Sequence, residues 1–291
     1  MKQPAYISPS SPNQALADKY PPHGLVKSTV AFPKMLSPQE APVQEVFSSI
    51  QGEGLYAGCR QVFVRFAHCH LHCAYCDTPM TTPSGQCAVE WQAGSHQWAS
   101  VENPLKQEAL VDIIGQLLTT QGKHHSVSFT GGEPLLYHQF LTGVLPQIQA
   151  LGVKTYLETS GTQPQLLEAL LPFLDVVAMD VKLPSATKQA PRWDEHRAFY
   201  ALLQENPIFT GEVFIKCVFN HATTLDELSQ LKTIVTNPDT VIYLQPETPL
   251  VKEASTLTIQ AHHLLQLQAG VAGWFNDVRV LPQTHKFLQV S

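Results

Sequence analysis

The chain has 291 residues, of which 44% are hydrophobic and 14% charged, and a formal net charge of −6. This length and composition fit one large globular domain with appendages and exclude a mostly disordered chain. The 18 Lys and Arg residues form no run or stripe, so no nucleic-acid partner is expected.

The N-terminal residues 1–42 are rich in Pro, Ser, Gln and Asn and show no sustained periodicity. This composition predicts an extension that is flexible or lies over the domain, with the core domain over residues 43–291. The start of the chain lacks the apolar run of a signal peptide, and no stretch approaches the roughly 18 apolar residues of a membrane span. We therefore expect a cytoplasmic protein that has no membrane partner.

From residue 43 onwards, β-branched runs alternate with amphipathic stretches. Strands are predicted at 61–67, 126–130, 154–160, 175–182, 212–219 and 240–246, and helices near 107–121, 139–151, 165–171, 194–204, 225–235 and 255–269. This alternation predicts right-handed βαβ units and a parallel sheet. About six units are too few for an eight-stranded barrel. The expected fold class is therefore α/β, a partial (β/α)6-type barrel with mainly parallel strands.

One segment interrupts this alternation. Residues 79–104 are long, have no clear period and include Trp91 and Trp98. Loops of this length tend to be lids, binding loops or disordered insertions. The segment is therefore expected to be a long loop insertion that either covers a site or is a plain insertion.

Polar and glycine-containing motifs follow most of the predicted strands. "TGGEP" ends the second strand, Ser160 the third, Asp180 and Lys182 the fourth, and Gln245 the sixth, while a cysteine cluster follows the first. The carboxyl ends of parallel strands meet at one edge, where α/β proteins bind their ligands. The sequence therefore predicts a single site along this edge.

Cys69, Cys73 and Cys76 have the spacing C-x3-C-x2-C, and the six cysteines of the chain are too sparse for a disulfide scaffold. A structural zinc site needs four ligands, usually in two pairs, and no second pair is present. A Cys3His zinc site remains an alternative, with its fourth ligand from His68, His70 or His72. A cubane iron–sulfur cluster held by three thiolates would instead leave one iron open to a small ligand.

The cysteine motif after one strand and "GGEP" after the next together resemble the radical S-adenosylmethionine (SAM) superfamily. The resemblance implies a [4Fe-4S] cluster whose open iron is chelated by the amino and carboxylate groups of SAM. It also implies that the reduced cluster cleaves SAM to a 5′-deoxyadenosyl radical. The cofactor then does the difficult chemistry, and no side chain need carry the radical.

Further motifs are similar to those of the 7-carboxy-7-deazaguanine synthase family: "SSIQGEGLYAG" (48–58), "FVRFAHC" (63–69), "CAYCDT" (73–78) and "LPQTHKF" (281–287). This resemblance implies conversion of 6-carboxy-5,6,7,8-tetrahydropterin to 7-carboxy-7-deazaguanine with loss of ammonia, in queuosine and 7-deazapurine biosynthesis. It also implies Mg²⁺, a flavodoxin- or ferredoxin-type electron donor and a homodimer.

The resemblance assigns residues to the SAM pocket by their place in these motifs. They are Tyr75, Asp77, Gly131, Gly132, Glu133, Ser160, Asp180, Lys182 and Gln245. The glycine turn would receive the methionyl ammonium, and Ser160, Asp180 and Lys182 would bind ribose hydroxyls and a carboxylate. Many relatives carry Ser-Pro-Lys where this chain has Asp180 to Lys182. Plain packing beside the cluster is the alternative role of Tyr75.

On the substrate side, the resemblance assigns Ile50, Gln51, Gly52, Glu53, Arg65, Thr130, His285 and the terminal carboxylate of Ser291, with Thr78 as the protein ligand of Mg²⁺. A carboxylate suits the amidine-like edge of a pterin, and an arginine suits its carboxyl group. A structural ion pair of Arg65 and a turn hydroxyl at Thr78 are the alternatives. His68 stands where relatives usually carry glycine.

Two other functions are weighed against this one. A glycyl-radical-enzyme activase shares the three cysteines and "GGEP" but acts on a protein, and "QGEG" with the threonine after the last cysteine argues against it. A zinc-stabilised binding protein is the alternative from another class, which visible absorption from air-sensitive bound iron would exclude.

Overall fold

The computed structural model describes residues 37–78, 85–248 and 260–290. Its strands alternate with helices over most of this range. The strands are β1 Glu40–Ala41, β2 Val43–Ile50, β3 Arg60–Phe66, β4 Gln86–Val89, β5 Ala99–Glu102, β6 Leu105–Lys106, β7 Ser126–Gly131, β8 Lys154–Thr159, β9 Val176–Asp180, β10 Glu212–Phe219, β11 Ile242–Pro246 and β12 Val278–Val280.

The α-helices lie mainly between the parallel strands. They are α1 Gln107–Thr120, α2 His138–Ala150, α3 Pro164–Leu167, α4 Pro184–Thr187, α5 Trp193–Glu205, α6 Leu225–Leu228, α7 Leu231–Ile234, α8 Ala261–Ala272 and α9 Thr284–Leu288. None of these helices is long and apolar enough to cross a membrane.

Ten strands form the main sheet, in the order β12-β11-β10-β9-β8-β7-β3-β2-β4-β5. The pairings from β3 through β7, β8, β9, β10 and β11 to β12 are all parallel, whereas β2 is antiparallel to β3. The six predicted strands are neighbours in this run, in their predicted order. The α/β fold class with a mainly parallel sheet is confirmed.

Both faces of the parallel strands are buried. Successive side chains of a strand point to opposite faces, and each face packs against another part of the protein. Leu157, Val177 and Ile215 point into the main core with the helices. Tyr156 and Phe214, their neighbours in sequence, belong to a second cluster on the opposite face. Burial on both faces explains why these strands read as nearly continuous apolar runs.

The second face is covered by a loop and by the C-terminal segment. Leu55 and Tyr56, from the loop 51–59 between β2 and β3, pack against Tyr156 and Phe214, and Leu281 joins them. The loop 51–59, which carries the polar "QGEG" residues, therefore lies against the face of the sheet opposite the main core.

The described part of the predicted 79–104 insertion forms two strands that pair at the edge of the sheet. β4 pairs in parallel with β2, and β5 pairs with β4. Trp98 packs edge-on against Phe47, with ring centroids 5.9 Å apart. These strands have only four residues each, which is too short for periodicity to stand out. Residues 79–84 lie outside the described residues.

Other boundaries differ locally from the predictions. A short strand β1 pairs with β6, so regular structure begins at Glu40, within the predicted extension. The helix expected at 225–235 is split into α6 and α7, and that at 165–171 becomes α3 followed by a 3-10 helix over Glu168–Phe173. Residues 255–259 of the last predicted helix lie outside the described residues.

We predict that Gly54→Ala destabilises the protein more than Gly58→Ala. Both glycines have positive φ, 63° and 92°, so either alanine costs about 1–2 kcal/mol of backbone strain. A Cβ on Gly54 would also lie 2.3 Å from the Phe214 ring, whereas none of the protein lies within 4 Å at Gly58. Overpacking adds about 1–3 kcal/mol. Urea unfolding of both variants measures the difference, and equal losses would contradict the packing of the 51–59 loop.

Candidate active site

Two adjoining cavities open at the carboxyl ends of the parallel strands. The cysteine-side cavity, of about 180 Å³, is lined by Cys69, Cys73 and Cys76 together with the ends of β7 to β11. The loop-side cavity, of about 250 Å³, is lined by residues 50–53 and by His285. Seven residues line both cavities: Glu53, Arg65, Asp77, Thr78, Thr130, Glu158 and Gln283.

The structure brings the predicted site residues together. Within the described residues, each of them lines one or both cavities except Glu133, which lies beneath the cysteine-side cavity and is 1% exposed. Ser291 lies outside the described residues. The two groups of motifs therefore lie along a single cleft, and five of the predicted residues line both cavities: Glu53, Arg65, Asp77, Thr78 and Thr130.

The turn after β7 fixes the path of the cysteine loop. The Gly132 N–H donates to the Phe66 carbonyl at 2.9 Å, and the Glu133 N–H donates to the His68 carbonyl at 2.9 Å. A Cβ on Gly132 would lie 1.7 Å from the His68 oxygen, so the close approach requires glycine. His68 itself has φ of 66°, the left-handed conformation that favours glycine, and its Nδ1 is 2.8 Å from the Tyr137 hydroxyl.

The Glu133 carboxylate is held by the end of β8. It accepts hydrogen bonds from Thr159 Oγ1 at 2.8 Å, from the Ser160 N–H at 2.9 Å and from Ser160 Oγ at 2.6 Å. Ser160 Oγ also contacts Thr162 Oγ1, which lies 2.7 Å from His70 Nε2. These bonds connect the ends of β7 and β8 to the cysteine loop, so Glu133 stabilises this edge of the cleft.

The three thiols of the motif are free, and their surroundings disfavour thiolates without a cation. Burial, with a contribution from Glu133, raises the pKa of Cys69 to about 12, and burial also raises the pKa of Cys73. Cys76 is exposed. Coordination to iron deprotonates a thiol and reverses this preference. In the described residues, no three His, Cys, Asp or Glu side chains are close enough to hold one metal ion.

A chain of buried ion pairs crosses the floor of the cleft. Lys182 Nζ is 2.9 Å from Asp180 Oδ2 and donates to the Tyr75 hydroxyl at 3.1 Å. Lys216 Nζ lies 3.3 Å from the same Asp180 oxygen and 2.5 Å from Glu53 Oε2. The chain therefore runs from the cysteine loop to the loop 51–59.

Lys182, Lys216 and Glu53 are charged at neutral pH. Burial alone would lower the pKa of Lys182 and Lys216, but the neighbouring carboxylates raise both above their ordinary values. Burial alone would raise the pKa of Glu53, but Lys216, Gln283 and His285 outweigh it and lower the pKa to about 2. Ion pairs in a low-dielectric site interact strongly.

Sequence reasoning missed Lys216 and Glu158. Lys216 is a lysine inside the apolar run "EVFIKCVF", and a charge at such a position needs a buried partner. Glu158 accepts from Gln51 Nε2 and from Thr130 Oγ1, both at 2.8 Å. Its signal was its place in "LETS", two residues before Ser160 at the end of a predicted strand.

Arg65 forms the ion pair that was considered as its alternative role. Its Nε is 2.6 Å from Glu45 Oε1, and its guanidinium carbon lies 6.0 Å from the centre of the Phe47 ring. The side chain nevertheless lines both cavities. The pair with Glu45 therefore holds Arg65 at the rim of the cleft.

The C-terminal motif is attached to the "QGEG" loop. The Thr284 N–H donates to the Gly52 carbonyl at 2.9 Å, and a Cβ on Gly52 would lie 2.0 Å from His285 Nδ1. Lys286 forms an ion pair with Asp77 at 2.6 Å. The C-terminal segment thus contacts both the loop 51–59 and the end of the cysteine loop.

Comparison with known proteins gives three concordant matches. The family model described as the radical SAM superfamily matches residues 63–208. A 7-carboxy-7-deazaguanine synthase of Geobacter sulfurreducens is 36% identical over 87% of this chain and 99% of its own length. A protein of the same name from Methanopyrus kandleri is 33% identical over 84% of this chain and 92% of its own.

Among solved structures, QueE from Escherichia coli matches with a TM-score of 0.52 at 21% identity, covering 84% of this chain and 94% of that one. At this identity the likeness concerns the fold. It agrees with the partial barrel inferred from the order of the strands.

We predict that Gly132→Ala impairs assembly of an iron–sulfur cluster. The added methyl group would displace the His68 carbonyl and with it the cysteine loop. Gly115→Ala is the matched control, because Gly115 lies in α1 with no atom within 4 Å of an added Cβ. After anaerobic reconstitution with iron and sulfide, bound iron should fall more than twofold in Gly132→Ala only. Equal iron in both variants would contradict the role of this contact.

Proposed function

Since the chain belongs to the radical SAM superfamily and, within it, to the 7-carboxy-7-deazaguanine synthases, we propose the following assignment of its cleft. The protein is a carbon–nitrogen lyase that converts 6-carboxy-5,6,7,8-tetrahydropterin to 7-carboxy-7-deazaguanine and ammonia. The observation that supports the substrate is the wall shared by the two cavities, which carries Glu53, Thr130 and Glu158 directly beside the cysteine rim.

The residues of the cysteine-side cavity fit a [4Fe-4S] cluster and SAM. Cys69, Cys73 and Cys76 would hold three irons, and thiolates are the usual ligands of such clusters. Asp180 lines this cavity and its buried Oδ1 has no hydrogen-bond partner among the described residues, so its carboxylate is the proposed acceptor for a hydroxyl of a bound ligand. When bound, the cluster and SAM supply hydrogen-atom abstraction chemistry.

The remaining SAM contacts are proposed from their positions in this cavity. Ser160, Lys182 and Gln245 line it at the ends of β8, β9 and β11, and Tyr75 accepts a hydrogen bond from Lys182. Gly131 and Gly132 line the same cavity and are proposed to contact the methionyl group through their backbone. Glu133 acts through Ser160 and Thr159 in this assignment, since its carboxylate is engaged with both.

The loop-side cavity provides acceptors for the pterin edge. Glu53 is ionised and Glu158 lines the same shared wall, so both are proposed to accept hydrogen bonds from amidine-like N–H groups. Arg65 and His285 lie at the rim for the carboxylate of the substrate. Ile50 and Gly52 line the same cavity.

Thr78 is the proposed protein ligand of Mg²⁺. It follows the last cysteine and lines both cavities, where a hard cation could bind a hydroxyl, waters and substrate oxygens. Asp77 next to it is paired with Lys286. This placement would let the ion hold the carboxyl group of the pterin.

The cellular setting completes the proposal. Three free thiols that must bind iron favour a reducing compartment, hence the cytoplasm. A flavodoxin or ferredoxin would supply the electron, and the active form would be a homodimer. The glycyl-radical activase is disfavoured because the relatives that match 84% or more of this chain are named for the pterin-derived product.

The reaction itself is the decisive test. Reconstituted protein with dithionite, SAM, Mg²⁺ and 6-carboxytetrahydropterin, kept anaerobic, is expected to form 7-carboxy-7-deazaguanine and ammonia in equal amounts by mass spectrometry and ammonia assay. Cys76→Ala is the control and should form neither. If only 5′-deoxyadenosine appears, the radical chemistry stands and the pterin assignment is wrong.

We also predict that Thr78→Val raises the Mg²⁺ concentration needed for half-maximal activity by about tenfold, which corresponds to one lost ligand of about 1.4 kcal/mol. The methyl group keeps the shape and removes the oxygen. Thr119→Val is the control, since its hydroxyl only bonds the carbonyls of its own helix. An unchanged Mg²⁺ dependence in Thr78→Val would remove Thr78 from the metal site.

A further inference from the structure

Lys216 joins the two cavities of the cleft. Among the ion pairs of residues 37–78, 85–248 and 260–290, it alone contacts two carboxylates, at 2.5 Å for Glu53 and 3.3 Å for Asp180. Glu53 lines both cavities, whereas Asp180 and Lys216 line the cysteine-side cavity. A single ammonium group therefore lies between the proposed pterin contact and the proposed SAM contact.

Burial makes this arrangement strong and mutually dependent. The side chains of Lys216 and Glu53 are each 16% exposed, and that of Asp180 is 9% exposed. A buried charge is costly unless it is paired, so Glu53 relies on Lys216 for its position and ionisation, while Asp180 is held by Lys216 together with Lys182. The backbone carries the same link, because Lys216 and Asp180 are paired residues of β10 and β9.

The two carboxylates differ in how their oxygens are used. Asp180 gives its Oδ2 to Lys182 and Lys216, while its buried Oδ1 has no hydrogen-bond partner among the described residues. Glu53 gives its Oε2 to Lys216 and its Oε1 to Gln283. Lys216 thus contacts one oxygen of each carboxylate and fixes the direction in which that group is held.

We propose that Lys216 is a positioning residue that holds Glu53 for the pterin and Asp180 for SAM at once, so that the two ligands bind cooperatively. This inference rests on the proposed function. Each ligand displaces water from one side of Lys216, and its ion pairs are then less screened. The carboxylate on the other side is held more firmly for the second ligand, so the cooperativity is positive.

The charged surroundings of Glu53 make its ionisation depend on Lys216. His285 approaches it from α9, Glu158 and Tyr156 from β8, and Lys216 from β10, with Gln283 as a neutral donor. Without the ammonium, burial is expected to raise the pKa of Glu53 toward neutrality.

The test measures binding without turnover. Reconstituted holoenzyme with an oxidised cluster and no reductant is titrated with 6-carboxytetrahydropterin in the presence and absence of saturating SAM, by anaerobic calorimetry. The wild type is expected to bind pterin at least about fivefold more tightly with SAM present. Pterin should tighten SAM binding by the same factor, because such linkage is reciprocal.

Lys216→Met should reduce the factor by which each ligand tightens binding of the other to less than about twofold. It should also make the affinity for pterin fall as the pH is lowered from 8 to 6, because Glu53 takes up a proton. Lys216→Arg keeps the charge and should retain the cooperativity. Lys154→Met is the matched control, an exposed lysine at the start of β8 in the same sheet.

The possible outcomes distinguish a failure of this inference from a failure of the proposed function. Wild-type enzyme that forms product but shows no mutual tightening overturns the role of Lys216 alone, as does a Lys216→Met variant that keeps the wild-type factor. Wild-type enzyme that neither binds nor converts the pterin overturns both proposals. If Lys216→Met does not fold, two measurements still test the inference: the cooperativity factor of the wild type and the titration of Lys216→Arg.

Discussion

The site depends on one close backbone contact. The turn that ends β7 reaches the loop that leaves β3, and the carbonyls of Phe66 and His68 accept the N–H groups of Gly132 and Glu133. Only a residue without a Cβ fits there. Because β3 and β7 are neighbouring parallel strands, this contact places the cysteine loop directly over the edge of the sheet. The cleft, its ion pairs and the proposed cofactor site all follow from that placement.

Ion pairs between charged side chains, together with this backbone contact, fix the structure of the cleft. Lys182 and Lys216 alternate with Asp180 and Glu53 along the floor of the cleft. Such a row is stable only because each charge has a partner, since an isolated buried charge would be neutralised or exposed. The arrangement gives the cleft a fixed pattern of acceptors before any ligand binds, and preorganised polar groups of this kind are how enzymes reduce the cost of reaching the transition state.

Much of this could be predicted from the sequence. The runs at 126–130 and 212–219 were recognisable as strands because both faces are buried, and the motifs at their ends converged because parallel strands share an edge. The pairing of β4 with β2 was not predictable, since four-residue strands carry little periodicity. Lys216 and Glu158 were missed because the sequence around a single lysine or glutamate in a strand does not show which group it pairs with. That partner comes from another strand or loop.

Hydrogen transfer from substrate to cofactor tests the central claim most directly, namely that a radical SAM reaction occurs on a pterin bound in the loop-side cavity. The substrate deuterated at C6 is turned over with unlabelled SAM, and 5′-deoxyadenosine is analysed by mass spectrometry. The account predicts that deuterium from C6 appears in the 5′-deoxyadenosine. Product formation with 5′-deoxyadenosine free of deuterium, or no product from protein that contains its cluster, would contradict it.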